Sequence, residues 1–75
     1  MYYHIPPATP MEDPRDVSEV LKDHMVRHRF TSYELAPRIG VTRATLGRWV
    51  REGRVPEERD KMLRAILTLI DEGRA

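Results

Sequence analysis

Residues 42–54, TRATLGRWVREGR, carry arginine at positions 43, 48, 51 and 54. Arginine keeps its charge at any ordinary pH and presents a planar fork of donors. That fork matches phosphate oxygens and the major-groove edge of guanine. At roughly 100° per residue, Arg43, Ala44, Gly47, Arg48 and Arg51 fall within one arc of about 140°. Leu46, Trp49 and Val50 fall on the opposite side, and no acid stands between residues 43 and 51. Glycine inside a helix costs about 1 kcal/mol relative to alanine. A merely solvated face mixes charge signs and gains nothing from small residues. A face that enters a groove gains from both features, because Ala44 and Gly47 let the backbone approach. The competing explanation is that Gly47 relieves crowding against the preceding helix.

Other chemistry is thinly represented. His24 and His28 stand at i, i+4, a spacing that can hold a metal, but no cysteine and no third ligand is evident along the chain. A packed or surface histidine pair is the expectation, with no metal. No glycine-rich phosphate loop, nucleophile elbow or paired-carboxylate arrangement stands out. The expectation is a protein that is not an enzyme and carries no cofactor.

Length and composition set the outer limits of the reading. Seventy-five residues make one domain at most, with a small core and no disulfide to staple it. No apolar run approaches the roughly 20 residues of a membrane span, and MYYHIPPATP does not read as a secretory signal. A cytoplasmic location is expected. Net charge is only +1, but its distribution is uneven. Residues 30–54 hold five arginines against two glutamates, whereas each flank holds four basic and five acidic side chains. Asparagine and glutamine are absent.

The elements that must position these residues all read as helices. Residues 1–13 lack a period and are rich in proline, so an extended arm is expected there, with Tyr2, Tyr3 and Ile5 able to dock. A domain over 14–75 follows. Its first helix is expected to start with Asp13 as N-cap and Pro14 at the first turn, to bury Val17, Val20, Leu21 and Met25, and to fade near Arg29. Thr31 and Glu34 form a capping box for the second helix, which buries Leu35, Ala36 and Ile39. Pro37 inside it should kink or shorten it. Gly40 turns the chain, Thr42 caps the third helix, and Gly53 closes it. Pro56 is expected at the first position of a fourth helix that Gly73 ends. Met62, Leu63, Ile66, Leu67, Leu69 and Ile70 share its apolar side. Part of that side is expected to cover the core. Leu67, Leu69 and Ile70 are the candidates for a homodimer seam, with residues 2–5 able to cross over.

Residues 32–51 resemble the helix-turn-helix of the Cro and phage-repressor type, the XRE-like family. Ala36, Gly40, Leu46 and Trp49 fall on its characteristic positions, and Leu35, Ile39 and Val41 on its buried ones. Ala36 is small where two helices cross, and Gly40 takes a turn conformation that costs other residues. Pro37 departs from the usual pattern. The resemblance covers about residues 17–70 and implies an all-α, four- to five-helix lambda-repressor-like domain.

In that family the second motif helix lies in the major groove. The resemblance therefore implies base reading by Thr42, Arg43, Ala44, Gly47 and Arg48. Arg43 and Arg48 would favour guanine, and Ala44 or Thr45 would meet a thymine methyl. Gly47 stands where family members can carry a longer contact residue. Phosphate contacts would come from Thr31, Ser32, Tyr33, Arg38, Thr45, Arg51 and Arg54. The implied function is a nucleoid-associated, sequence-specific transcription regulator of phage or mobile-element type. It would be a Cro-like repressor or autoregulator, binding an inverted-repeat operator in double-stranded DNA as a homodimer. An antitoxin-like regulator with a protein partner, an excision or recombination accessory factor, and a protein-interaction module remain open.

Overall fold

The computed structural model describes residues 9–74. It contains four helices in order: α1 (Val17–His28), α2 (Ser32–Ile39), α3 (Arg43–Glu52) and α4 (Glu57–Asp71). The described residues contain no strand. The expected all-α architecture is therefore present with four helices. The expectation for residues 2–5 lies outside the described residues.

Side-chain caps and left-handed turns set most of the helix boundaries. The Thr31 hydroxyl accepts from the Glu34 amide, and the Glu34 carboxylate accepts from the Thr31 amide, completing the capping box. The Thr42 hydroxyl accepts from the Thr45 amide at the start of α3. Gly40 (φ 80°) and Gly53 (φ 67°) end α2 and α3 in the left-handed region, which glycine enters without a Cβ clash. Pro37 stays inside α2 and does not end it. Its missing N–H leaves the Tyr33 carbonyl without its helical donor, and Pro37 itself is exposed. Arg29, at φ 56°, is the only non-glycine residue in the left-handed region among those described, and it closes α1. The Phe30 amide then donates back to the Met25 carbonyl at 2.9 Å.

Two helix starts differ from expectation. Asp16, not Asp13, caps α1, its carboxylate accepting from the Ser18 amide. Asp13 is engaged instead by Arg15, whose guanidinium donates to both carboxylate oxygens at 2.7–3.2 Å. Those hydrogen bonds hold the Asp13 carboxyl down at about 2. Pro56 is the cap residue of α4 rather than its first helical residue. Glu57, Glu58 and Asp60 in the first turn of α4 complement the helix dipole.

The core forms where the four apolar stripes meet. Leu21, Leu35, Leu46 and Leu67 are fully enclosed, and Val17, Val20, Ala36, Ile39, Trp49, Leu63 and Ile70 complete the cluster. Trp49 is thus a packing residue, as its position on the apolar side of α3 required. α2 packs against α3, α1 against α3 and α4, and α4 also touches α2. Ala36 is almost wholly buried on α2.

The arm expected over residues 1–13 does not extend to residue 13. Residues 9–13 form a turn in which the amides of Glu12 and Asp13 donate to the Thr9 carbonyl. Pro10 is buried, and the Met11 amide donates to Thr68 Oγ1 at 3.2 Å. Arg64 of α4 locks this segment down. Its guanidinium donates to the carbonyls of Pro10 (2.9 Å), Asp13 (2.7 Å) and Arg15 (2.6 Å), while its Nε pairs with Asp60. The packed unit therefore begins before residue 14, because one arginine satisfies three backbone carbonyls of the preceding segment.

The seam assigned to α4 also needs correction. Leu67 and Ile70 are 0% and 6% exposed, taken up by the core of their own chain, so they cannot line a surface. Leu69 at 37% and Met62 at 48% are the apolar side chains α4 leaves outside.

Candidate nucleic-acid interface

α3 is held by its inward side, where Leu46 and Trp49 are buried and Val50 is half-buried. That anchoring turns Arg43, Ala44, Arg48 and Arg51 outward, and all of them are exposed. Among the described residues, Arg43, Arg48, Arg51 and Arg54 make no ion pair with any carboxylate. By contrast, Arg15, Arg27 and Arg64 are each paired with aspartate. The face is thus a set of uncompensated positive charges on a rigid element, the condition under which phosphate attraction is strongest.

Gly47 sits in the middle of this face. A Cβ placed on it would meet nothing within 4 Å, and its backbone is not in the left-handed region. Crowding against α2 therefore does not explain the glycine. Nothing inside the described chain needs a residue without a side chain there, so its cost in helix propensity has no internal compensation.

The amino ends of α2 and α3 lie at one edge of this face. The Arg43 guanidinium covers the Tyr33 ring at 4.6 Å from its centroid, joining the two helices across the turn. Tyr33 is 65% exposed and lines, with Ala36, Pro37, Val41 and Arg43, a shallow groove between the helices. Arg38 lies over the Phe30 ring at 4.9 Å. The stacking contact with Tyr33 orients the Arg43 guanidinium without neutralising it.

The threonines and Ser32 are more engaged than the sequence suggests. Thr42 Oγ1 donates to Thr45 Oγ1 at 2.9 Å while accepting the Thr45 amide, so both residues form one cap. Thr31 has its amide and hydroxyl on Glu34. The Glu34 carboxylate therefore stands at the amino end of α2, where a phosphate contact by Thr31 was expected. Ser32 is half-buried. At the other end of α3, Arg48, Glu52, Arg54 and Glu57 line a second groove, so the acid-free surface stops there.

Two groupings were not evident from the sequence. One is Arg64 with its three carbonyls. The other brings His24 and His28 of α1 onto Asp71 at the end of α4, with Asp71 Oδ1 lying 3.0 Å from His24 Nε2 and 2.6 Å from His28 Nε2. A third ligand-type side chain therefore does accompany the histidine pair. It comes from the far end of the chain, a separation that local spacing does not report.

No protein-family model matches the chain, and no curated protein or solved structure matches it either. No helix is long and apolar enough to cross a membrane among the described residues.

Proposed function

We propose that this protein is a sequence-specific, double-stranded DNA-binding transcription regulator that works by occupying an operator. On this reading α2, the Gly40 turn and α3 act as a helix-turn-helix, and α3 enters the major groove. The observation that carries the proposal is the exposed face of α3. Three arginines without ion pairs surround a glycine that nothing in the described chain requires. A duplex supplies both missing partners, phosphates for the charge and a groove wall for the close approach.

Roles follow from position. Arg43 and Arg48 read guanine, with Thr42, Ala44 and Gly47 at the same surface and Ala44 or Thr45 against a thymine methyl. Arg38, Arg51 and Arg54, with Ser32 and Tyr33, contact phosphate. Thr31 acts through the capping box, and Thr45 through the α3 cap. Two copies pair through the exposed Met62 and Leu69 of α4, matching an inverted-repeat operator. The protein works in the cytoplasm, on the nucleoid, and represses by excluding polymerase.

Selection from a random duplex library with purified protein tests this directly. A guanine-containing inverted repeat is expected, with half-sites about one helical turn apart. Arg43→Ala should cost about 1–3 kcal/mol and relax preference at one base pair. No enrichment at low salt, with folded protein, overturns the proposal and turns attention to a protein partner for the same face.

A further inference from the structure

His24 is the most anomalous polar group in the described core. Its side chain is 0% exposed, and neither ring nitrogen makes a well-formed hydrogen bond, although the Leu67 backbone lies close enough to favour the charged ring weakly. A buried ring nitrogen without a well-formed partner loses its hydration and gains little in return, so such groups usually have one. Asp71 Oδ1 is 3.0 Å from His24 Nε2 but outside hydrogen-bond geometry. It therefore stands off the nitrogen's axis, as a co-ligand of a shared ion does, rather than on it as an acceptor does.

The surroundings supply the remaining donors. His28, one turn further along α1, brings its Nε2 to 2.6 Å from the same Asp71 oxygen. Ligand atoms of His24, His28 and Asp71 all lie within 4.8 Å of one another. Two ligands of a tetrahedral zinc ion, at about 2.0–2.1 Å each, stand about 3.3 Å apart. From 3.0 Å and 2.6 Å, the His24 and His28 pairs with Asp71 Oδ1 reach that spacing by opening about 0.3 Å and about 0.7 Å. The ring of His28 is stacked on Phe30 (centroids 5.4 Å, planes 13° apart), which fixes its orientation. Arg27 holds the other carboxylate oxygen at 3.4 Å, orienting Asp71 from outside.

We propose that His24, His28 and Asp71 form a binding site for a divalent transition-metal ion, zinc in the first instance. Two imidazoles and one carboxylate suit zinc, and the side chains of His28 and Asp71 are 30% and 22% exposed, so water reaches the fourth position. The ion takes up the lone pair of His24 Nε2 and ties α1 to the end of α4. It acts as the crosslink that a chain without cysteine lacks. The site lies apart from the arginine face and does not depend on the function proposed for it.

The test uses the full chain, stripped with chelator and dialysed. Titration with Co2+ should give the visible d–d bands of a tetrahedral site, saturating at one equivalent, and Zn2+ should bleach them. At free zinc about a hundred times Kd, Tm should rise by roughly 10–20 °C. Asp71→Asn and His28→Gln lie at the surface end of the site and should weaken zinc binding by more than about tenfold. Circular dichroism checks that both variants remain folded. His4→Ala, which removes the third histidine of the sequence, should bind as the parent does. Absence of the cobalt bands and of any zinc-induced Tm shift overturns the proposal. So does binding that survives in both site variants or disappears with His4→Ala.

Discussion

Gly47 gives the sharpest single test, because the structure separates its internal and external explanations. A methyl group at this position meets no atom within 4 Å, so Gly47→Ala adds helix propensity without a packing penalty. The propensity difference is about 0.8–1.0 kcal/mol. For a domain of this size each kcal/mol moves Tm by about 4–8 °C, so Tm should rise by roughly 3–8 °C. Urea unfolding should report the same gain as a higher midpoint with unchanged slope. Gly47→Leu should be comparably stable, since leucine is nearly as good a helix former and the site faces open space. DNA affinity should move the other way. A leucine on the face proposed to enter the groove should weaken binding to the selected operator by at least about tenfold, or roughly 1.4 kcal/mol. Gly47→Ala that destabilises the protein would mean a neighbour crowds this position after all. Gly47→Leu that binds DNA with native affinity would refute the idea that the glycine is kept for close approach.

Three further outcomes follow from the same structure. Arg64→Met keeps the aliphatic stem but removes the donors to three carbonyls and the Asp60 pair. It should destabilise the fold by about 3 kcal/mol and lower Tm by more than about 10 °C, as measured by thermal unfolding. Burial holds the His24 pKa below its usual 6.5, against the opposing pull of Asp71 and with the charges of His28 and Arg27 adding to the depression. The unfolded chain therefore takes up this proton more readily. In the presence of chelator, stability should be greatest above the usual imidazole range and decline as pH falls through and below about 6.5, a slope that His24→Leu flattens. Finally, Leu69→Glu should convert the proposed dimer to a monomer in sedimentation analysis, and unchanged mass with an intact fold would exclude a seam on α4.

Much of the fold was legible because helix boundaries are set locally. The capping box of Thr31 and Glu34, the Thr42 cap and the turns at Gly40 and Gly53 all depend on side chains within three or four residues of the backbone they satisfy. The apolar stripes were equally local, since 3.6-residue periodicity places Leu46 and Trp49 together before any partner helix is known. The same periodicity assembled Arg43, Arg48 and Arg51 into one outward face. The N-cap expected at Asp13 falls instead on Asp16, because capping-residue type alone does not choose between two acids near the start of α1. Only the competing Arg15 contact shows which of them caps it.

What the sequence by itself determined, then, is the helical content, the turn positions and the side of α3 that carries positive charge. Each follows from neighbours along the chain. Tertiary structure alone decided which of the apolar residues of α4 are core and which are surface, because a helix does not encode how many of its sides will be covered. It also decided that Arg64 closes three carbonyls some fifty residues away, and that Asp71 arrives beside His24 and His28. Those groupings depend on how α4 lies across α1. That arrangement is set by the packing of Leu21, Leu63 and Leu67 in the shared core, not by any spacing readable along the chain.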